Sequence, residues 1–271
     1  MSWLFALAAI VGHPSSPDGS EVNWLIAQAL DHGRLLQARE MIAIERRKAN
    51  ATETVQLDHL DARLALAEGR NADAFFAFSR LADASPNDCV AREGAGLAGL
   101  HLGSLNGARK LLKEAIAICP DQWRSWNALG VLADRNGDWV TSATSYARAL
   151  KLVPAEPIVL NNLGYSLILQ HRFDDAEQVL RNAIRIAPNH ERLANNLDIA
   201  LIAGGKPLDP DIVKDIPARR AERFNNAGYI SFLSGRTPEA KSYLEDAVAI
   251  GPAYFGRAAR NLEIVEQAWR Q

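Results

Sequence analysis

The stretch Trp123-Arg-Ser-Trp-Asn-Ala-Leu-Gly130 opens a pattern that continues through Gly137, Ser142, Tyr146 and Ala149 and closes at Pro154. It returns 34 residues later as Leu160, Leu163, Gly164, Ala176, Leu180, Ala183 and Pro188. One period earlier it reads Gly96, Ala108, Leu112, Ala115 and Pro120, and a weaker copy before that reads Ala62, Gly69, Ala74, Phe78 and Pro86. A fixed period of this size means stacked supersecondary units rather than one closed core.

With each proline at position 32, the units start at Val55, Cys89, Trp123 and Pro157. Apolar residues at positions 4, 7 and 11, and again at 20, 24 and 27, have helical spacing, so each unit predicts two helices. Position 8 is Gly or Ala, which lets the two helices cross closely. Positions 20 and 27 are small for the same reason, and position 24 is bulky and is expected to fill the gap between units. Gly69, Gly137 and Gly235 fall where a first helix must stop. Each proline ends a second helix.

A further unit runs from Ala221 through Phe224, Ala227, Gly228, Ala240, Leu244 and Ala247 to Pro252. Before it lies an irregular one. Its first helix, about 191–203, is regular. Then Gly204-Gly-Lys-Pro-Leu-Asp-Pro-Asp-Ile-Val-Lys-Asp-Ile-Pro217 stands in place of a second helix. Its prolines forbid a long helix, so a loop is expected, with one short turn at 210–214. Val22 to Lys48 reads as a leading helix pair, and Phe255 to Arg270 as a closing helix. Solenoids need such end caps because a terminal apolar face has no neighbour.

The residues Trp126, Leu129, Gly130, Tyr146, Ala149 and Pro154, with their equivalents, resemble the tetratricopeptide repeat. The resemblance covers Glu21 to about Ala268. It implies an all-α fold, a right-handed α-solenoid of stacked helix-turn-helix units. Residues 1–20 form an apolar N-terminal segment and linker, read either as an atypical export signal or as an apolar cap. The solenoid is expected over 21–271. Its units lie near 21–50, 55–88, 89–122, 123–156, 157–190, an irregular 191–220 and 221–254, with a capping helix at 255–271.

Composition and motifs exclude several classes. A formal net charge of −2 over 271 residues does not suit a nucleic-acid footprint. The apolar run Met1 to Gly12 is too short to span a bilayer. Gly94-Ala-Gly-Leu-Ala-Gly99 matches a dinucleotide fingerprint, but it falls inside a predicted helix and lacks the preceding strand. The six histidines show no metal spacing. Acidic pairs such as Asp174-Asp175 sit at helix starts, where the dipole favours them. No cofactor, no metal, no small-molecule substrate and no catalytic set is expected. Cys89 and Cys119 lie near the same end of one repeat; a bridge is open to them, and buried free thiols are the expectation.

In the family that the repeat resembles, first helices line a concave groove, with positions 2, 5, 9, 12 and 13 pointing into it. Here position 5 gives Asn127, Asn161, Asn195 and Asn225 after Glu93. Positions 9, 12 and 13 supply Tyr165, Ile168, Leu169, Tyr229 and Phe232. The peptide-binding groove expected from the sequence is therefore Asn127, Asn161, Tyr165, Ile168, Leu169, Asn195, Asn225, Tyr229 and Phe232. Asparagine both donates and accepts, so it can pair a ligand's backbone. The alternative is that the strip is packing. The groove lacks the lysines with which some family members clamp a terminal carboxylate.

The expected activity is that of a non-catalytic protein–protein interaction scaffold for a protein or peptide partner. Leu160-Asn-Asn-Leu-Gly-Tyr-Ser-Leu-Ile-Leu-Gln170, Arg192-Leu-Ala-Asn-Asn-Leu-Asp-Ile-Ala-Leu201 and Asn225-Asn-Ala-Gly-Tyr229 resemble the TadD family of Tad (Flp) pilus assembly proteins. That resemblance implies bacterial pilus assembly or secretion. Members often start with a lipoprotein signal ending in cysteine; the first cysteine here is Cys89, so the resemblance does not extend to a lipid anchor. A soluble cytoplasmic adaptor or assembly chaperone, and the repeat arm of a transferase, are the alternatives. Bacterial cytoplasm and periplasm or cell envelope both stay open, as does membrane association.

Overall fold

The 34-residue period becomes a succession of helix pairs. The structure, a computed structural model, describes residues 20–209, 217–250 and 256–270. The apolar segment and its linker, the expected turn at 210–214, and Pro252 lie outside them. The described residues form helices and no strands. They divide into two compact units that meet between Pro120 and Asp121.

The first unit holds three pairs: α1 (Ser20–Asp31) with α2 (Leu35–Arg46), α3 (Ala51–Ala67) with α4 (Asn71–Ala84), and α5 (Cys89–His101) with α6 (Leu105–Ile118). The second holds α7 (Trp123–Asp134) with α8 (Trp139–Leu152), and α9 (Pro157–Leu169) with α10 (Phe173–Ile186). After these come the unpaired α11 (Glu191–Ala203), then α12 (Pro217–Leu233) with α13 (Thr237–Ile250), and α14 (Gly256–Trp269).

Helix ends follow local chemistry. Asn50 caps α3 by accepting from the backbone N–H groups of Thr52 and Glu53, and Glu53 accepts from the Asn50 N–H, a complete capping box. This starts α3 a turn before Val55. Pro157 opens α9 and Pro217 opens α12, where a missing N–H costs nothing. The first helices stop on left-handed residues: Gly69, Gly103, Gly137, Gly205 and Gly235 have φ of 69° to 80°. In the 157–190 repeat, His171 takes that place at φ 59°, a conformation that costs a side chain about 1–2 kcal/mol.

Within each pair, position 8 faces position 24. A Cβ on Gly130 would lie 2.7 Å from the Tyr146 ring, and one on Gly164 would lie 2.6 Å from Leu180. Gly96 against Leu112 and Gly228 against Leu244 repeat the fit. The expectation that position 24 fills the gap between units is thereby corrected: the bulky residue sits directly over the glycine of its own unit, where the absent Cβ leaves room for it. Tyr146, Leu112, Leu180 and Leu244 are all buried. Trp126 is only half-buried, packed at the edge of the cluster around Tyr146 and Val159.

The expectation of free thiols is corrected. Cys89 at the start of α5 and Cys119 just past the end of α6 form a disulfide, with Cα atoms 6.0 Å apart. The hairpin brings its two open ends together, and that separation is ordinary for a bridge.

Candidate partner-binding face

The first helices of the second unit carry the expected groove residues, and the structure sorts these into two groups. Tyr165 and Leu169 on α9, Asn195 on α11 and Tyr229 on α12 are exposed. Tyr165 is 45% and Tyr229 50% accessible, and Leu233 and Ile158 add further exposed apolar surface to the same helices. Residues 158, 165 and 169, like 222, 226, 229 and 233, recur every three to seven positions, so each set forms one stripe.

Asn161, Ile168 and Asn225 are buried, while Asn127 and Phe232 are half-buried. Phe232 packs against Ala240, Leu244 and Val265. The asparagines tie helix to helix. Asn162 donates from Nδ2 to Asn127 Oδ1 at 3.0 Å, and Asn196 to Asn161 Oδ1 at 2.9 Å. Asn261 donates to Asn225 Oδ1 at 3.0 Å. In the first two cases position 6 of one first helix donates to position 5 of the one before; Asn261 makes the same kind of bond from one residue later in the closing helix. Asn161 and Asn225 also donate to their own neighbours, Asn162 and Asn226. Buried amides are thereby paired rather than left at a cost of about 1–3 kcal/mol each.

A second polar cluster lies at the end of α7. Tyr146 O–H donates to Asp134 Oδ2 and Ser166 O–H to Asp134 Oδ1, both at 2.7 Å. Ser142 stands 3.1 Å from Ser166. Burial first, then the Asp134 bond, pushes the Tyr146 phenol well above its ordinary range. Asp134, which sequence position assigns to the groove, holds the α7–α8–α9 contact instead.

The irregular repeat is closed by charge. Its position 8 is Asp198, where other repeats have the glycine or, at Ala62, the alanine that faces a second helix. No second helix faces Asp198 among the described residues; Arg223 of α12 grips its carboxylate at 2.7 and 2.8 Å, both side chains only 6% exposed. Residues 204–209 form a strap. Arg223 also donates to the Asp209 carbonyl, Arg181 of α10 pairs with Asp209, and Lys206 reaches Asp174 and Glu177. Arg236 donates to the Ile202 carbonyl. Lys206, then Arg181, hold the Glu177 carboxyl below its usual range. Sequence reading missed this network, although an aspartate in a glycine column was its signal.

No cofactor cradle is present in α5. Gly94 faces Phe78, Gly96 faces Leu112, and Gly99 lies near Phe75 and Ala108, so the three glycines admit neighbouring side chains. Among the described residues no cluster of His, Cys, Asp and Glu is arranged to hold a metal ion. No described helix is long and apolar enough to cross a membrane.

A model of the tetratricopeptide repeat family matches residues 59–122 and 127–191. The fold is similar to that in the crystal structure of the APC/C hetero-tetramer Cut9–Hcn1, with TM-score 0.65 and 15% identity, covering 93% of this chain and 49% of that one. It is also similar to a tetratricopeptide repeat protein from Parabacteroides merdae, with TM-score 0.53 and 14% identity, covering 93% and 100%. In sequence, 87 residues are 37% identical to the TPR repeat-containing protein PA4667 of Pseudomonas aeruginosa, covering 32% of this chain and 15% of that protein. A stretch of 55 residues is 44% identical to the protein O-mannosyl-transferase Tmtc2 of Drosophila melanogaster, covering 20% and 6%. The matches thus span a minor part of both curated relatives. Repeat pattern, helix pairing and family model agree: residues 59–122 and 127–191 are tetratricopeptide repeats, and the helix pairs around them have the same fold. The chain's architecture is the α-solenoid, a fold suited to protein–protein interaction.

Proposed function

We propose that this chain is a non-catalytic scaffold that binds a segment of a partner protein along the first helices of its second unit. The observation that carries this reading is the exposed stripe of Tyr165, Leu169, Tyr229 and Leu233 on helices whose other faces are buried. Large exposed apolar patches on a folded chain mark interaction sites. Asn195 on the intervening helix adds a free donor and acceptor. Asn127, Asn161, Ile168, Asn225 and Phe232 serve as the packed floor beneath that stripe.

The setting we infer is bacterial pilus assembly or secretion, on the segments that resemble the Tad family. The Cys89–Cys119 bridge supports the periplasm or cell envelope over the cytoplasm, since disulfides persist in oxidising compartments. A cytoplasmic adaptor is the second reading, and a reduced cysteine pair in protein from the native cell would favour it.

The test is site-specific photocrosslinking in the native cell. A crosslinker replaces Tyr165, Tyr229 or, as control, Val140, which is 79% exposed on α8. One shared adduct at positions 165 and 229, absent at 140, supports the reading. Mass spectrometry then shows whether the adduct is a pilus or secretion component. No adduct at 165 or 229 rejects the face.

A further inference from the structure

The α3–α4 pair of the first unit leaves a cavity of about 510 Å³, with Arg46 at the end of α2 on its rim. Two departures from the repeat pattern lie beside it. Position 27 is Leu81, where the units from Cys89, Trp123, Pro157 and Ala221 have Ala115, Ala149, Ala183 and Ala247. The larger side chain stands in the wall of the cavity. Position 24 is Phe78, and its ring lies against Gly94 of α5, where an added Cβ would be 2.5 Å from it. Phe78 thus fills space towards the next first helix and leaves the cavity to smaller residues. Ala62 and Ala65 of α3 and Ala77 of α4 form its floor, between Val55 and Leu81.

Six lining side chains are charged, and five of them are already engaged. Arg46 holds Asp58 and Asp61, and Arg70 holds Asp73 together with Glu68. Arg80, exposed on α4, has no ionic partner among the described residues. Phe76, one turn before Arg80, is 66% exposed, and Val55 is exposed on the α3 side. The cavity therefore combines an alanine floor, apolar residues on both rims and one uncommitted guanidinium.

We infer that this cavity receives an amphipathic helix of a partner protein, which sets apolar side chains on the alanine floor and a carboxylate at Arg80. Side chains of a third helix enter the groove between two packed ones as ridges. A helix docked in this way is read through apolar residues at i, i+3 or i+4 and i+7. From Val55 to Ala65 the lined part of α3 runs about 15 Å, enough for about three helical turns. The carboxylate follows from the charges. A basic residue would find Asp58, Asp61 and Asp73 already paired, whereas an acidic one meets the guanidinium that is left over. The surface belongs to the first unit and does not depend on the Tyr165 and Tyr229 stripe of the second.

The test uses a display library of a small three-helix scaffold with one randomised helix face. It is selected on the whole chain and depleted on Ala77→Leu, in which the larger side chain fills the cavity. Ala84→Leu, at an exposed lining position, takes over the depletion if Ala77→Leu melts below wild type. Binders of the second-unit face hold Ala77→Leu as they hold wild type, so the depletion removes them and the partner face proposed above is not at stake. Expected are surviving binders with Asp or Glu on the selected face. They should bind Arg80→Glu about tenfold more weakly, and Lys in place of that acid should restore the binding. A merely apolar contact would not follow this exchange of charge. Survival of no binder overturns the cavity as a docking surface. Survivors that ignore Arg80→Glu, or that carry only basic residues, overturn the acidic helix as its occupant.

Discussion

The α5–α6 hairpin of the first unit and the α11–α12 junction of the second both depart from the regular repeat, and they are repaired by different chemistry. In α5 the departure is two extra glycines, 94 and 99, beside the regular Gly96, each costing a helix interior about 1 kcal/mol relative to alanine. The repair is covalent. The Cys89–Cys119 bridge closes a separation of 30 residues, a loop whose closure stabilises by about 3–4 kcal/mol in the chain-entropy account. At α11–α12 a whole helix is missing, and the repair is a buried ion pair with a charged strap. The first device holds a hairpin shut whatever the salt and charge around it, provided the compartment is oxidising. The second fixes one geometry through charge pairs, which require their partners to stay ionised.

The contrast can be broken first at Asp198. Asp198→Ala leaves the Arg223 guanidinium buried without its carboxylate partner, a loss of about 3–5 kcal/mol, read from urea denaturation. A loss under 1 kcal/mol would mean that the strap alone closes the junction. Next is the pair Cys89→Ser with Cys119→Ser. We expect about 3 kcal/mol of lost stability, with amide exchange quickening in α5 and α6 before α9 and α10. Uniform exchange across those helices would show that the glycines leave α5 no softer than its neighbours.

The smallest effect concerns pH. The Glu177 carboxyl is lowered by Lys206 and then Arg181, so its contribution to folding is present above the ordinary carboxylate value of about 4.3 and fades as pH falls through the lowered one. Wild type should melt above Glu177→Gln at neutral pH, and the gap should close in acid. A gap independent of pH would assign the effect to packing of the strap.

The period, the helix pairs and the small residue at position 8 could be read directly, because each repeats and repetition averages away local exceptions. Gly130 under Tyr146 and Gly164 under Leu180 are the same fact twice. The proposed partner-binding face was only half legible. Tyr165 and Tyr229 are exposed as their positions imply, whereas Asn161 and Asn225 at an equivalent column are buried in rungs. An asparagine looks alike in sequence whether its amide meets water or another asparagine; only the distance between neighbouring helices decides. The disulfide was illegible for a related reason. Cys89 opens one hairpin and Cys119 follows it, at the same end of the repeat, and spacing alone does not say whether their thiols meet.

That bridge also bears on how the protein is made. Two cysteines have a single intramolecular pairing, so oxidative folding here offers no wrong connectivity to unscramble. The maturing chain needs an oxidant and no isomerase. Since α5 begins at Cys89 and α6 ends just before Cys119, the bond can close only after the whole of both helical segments has been synthesised. Its formation is a chemical record that the hairpin's sequence has been made in full.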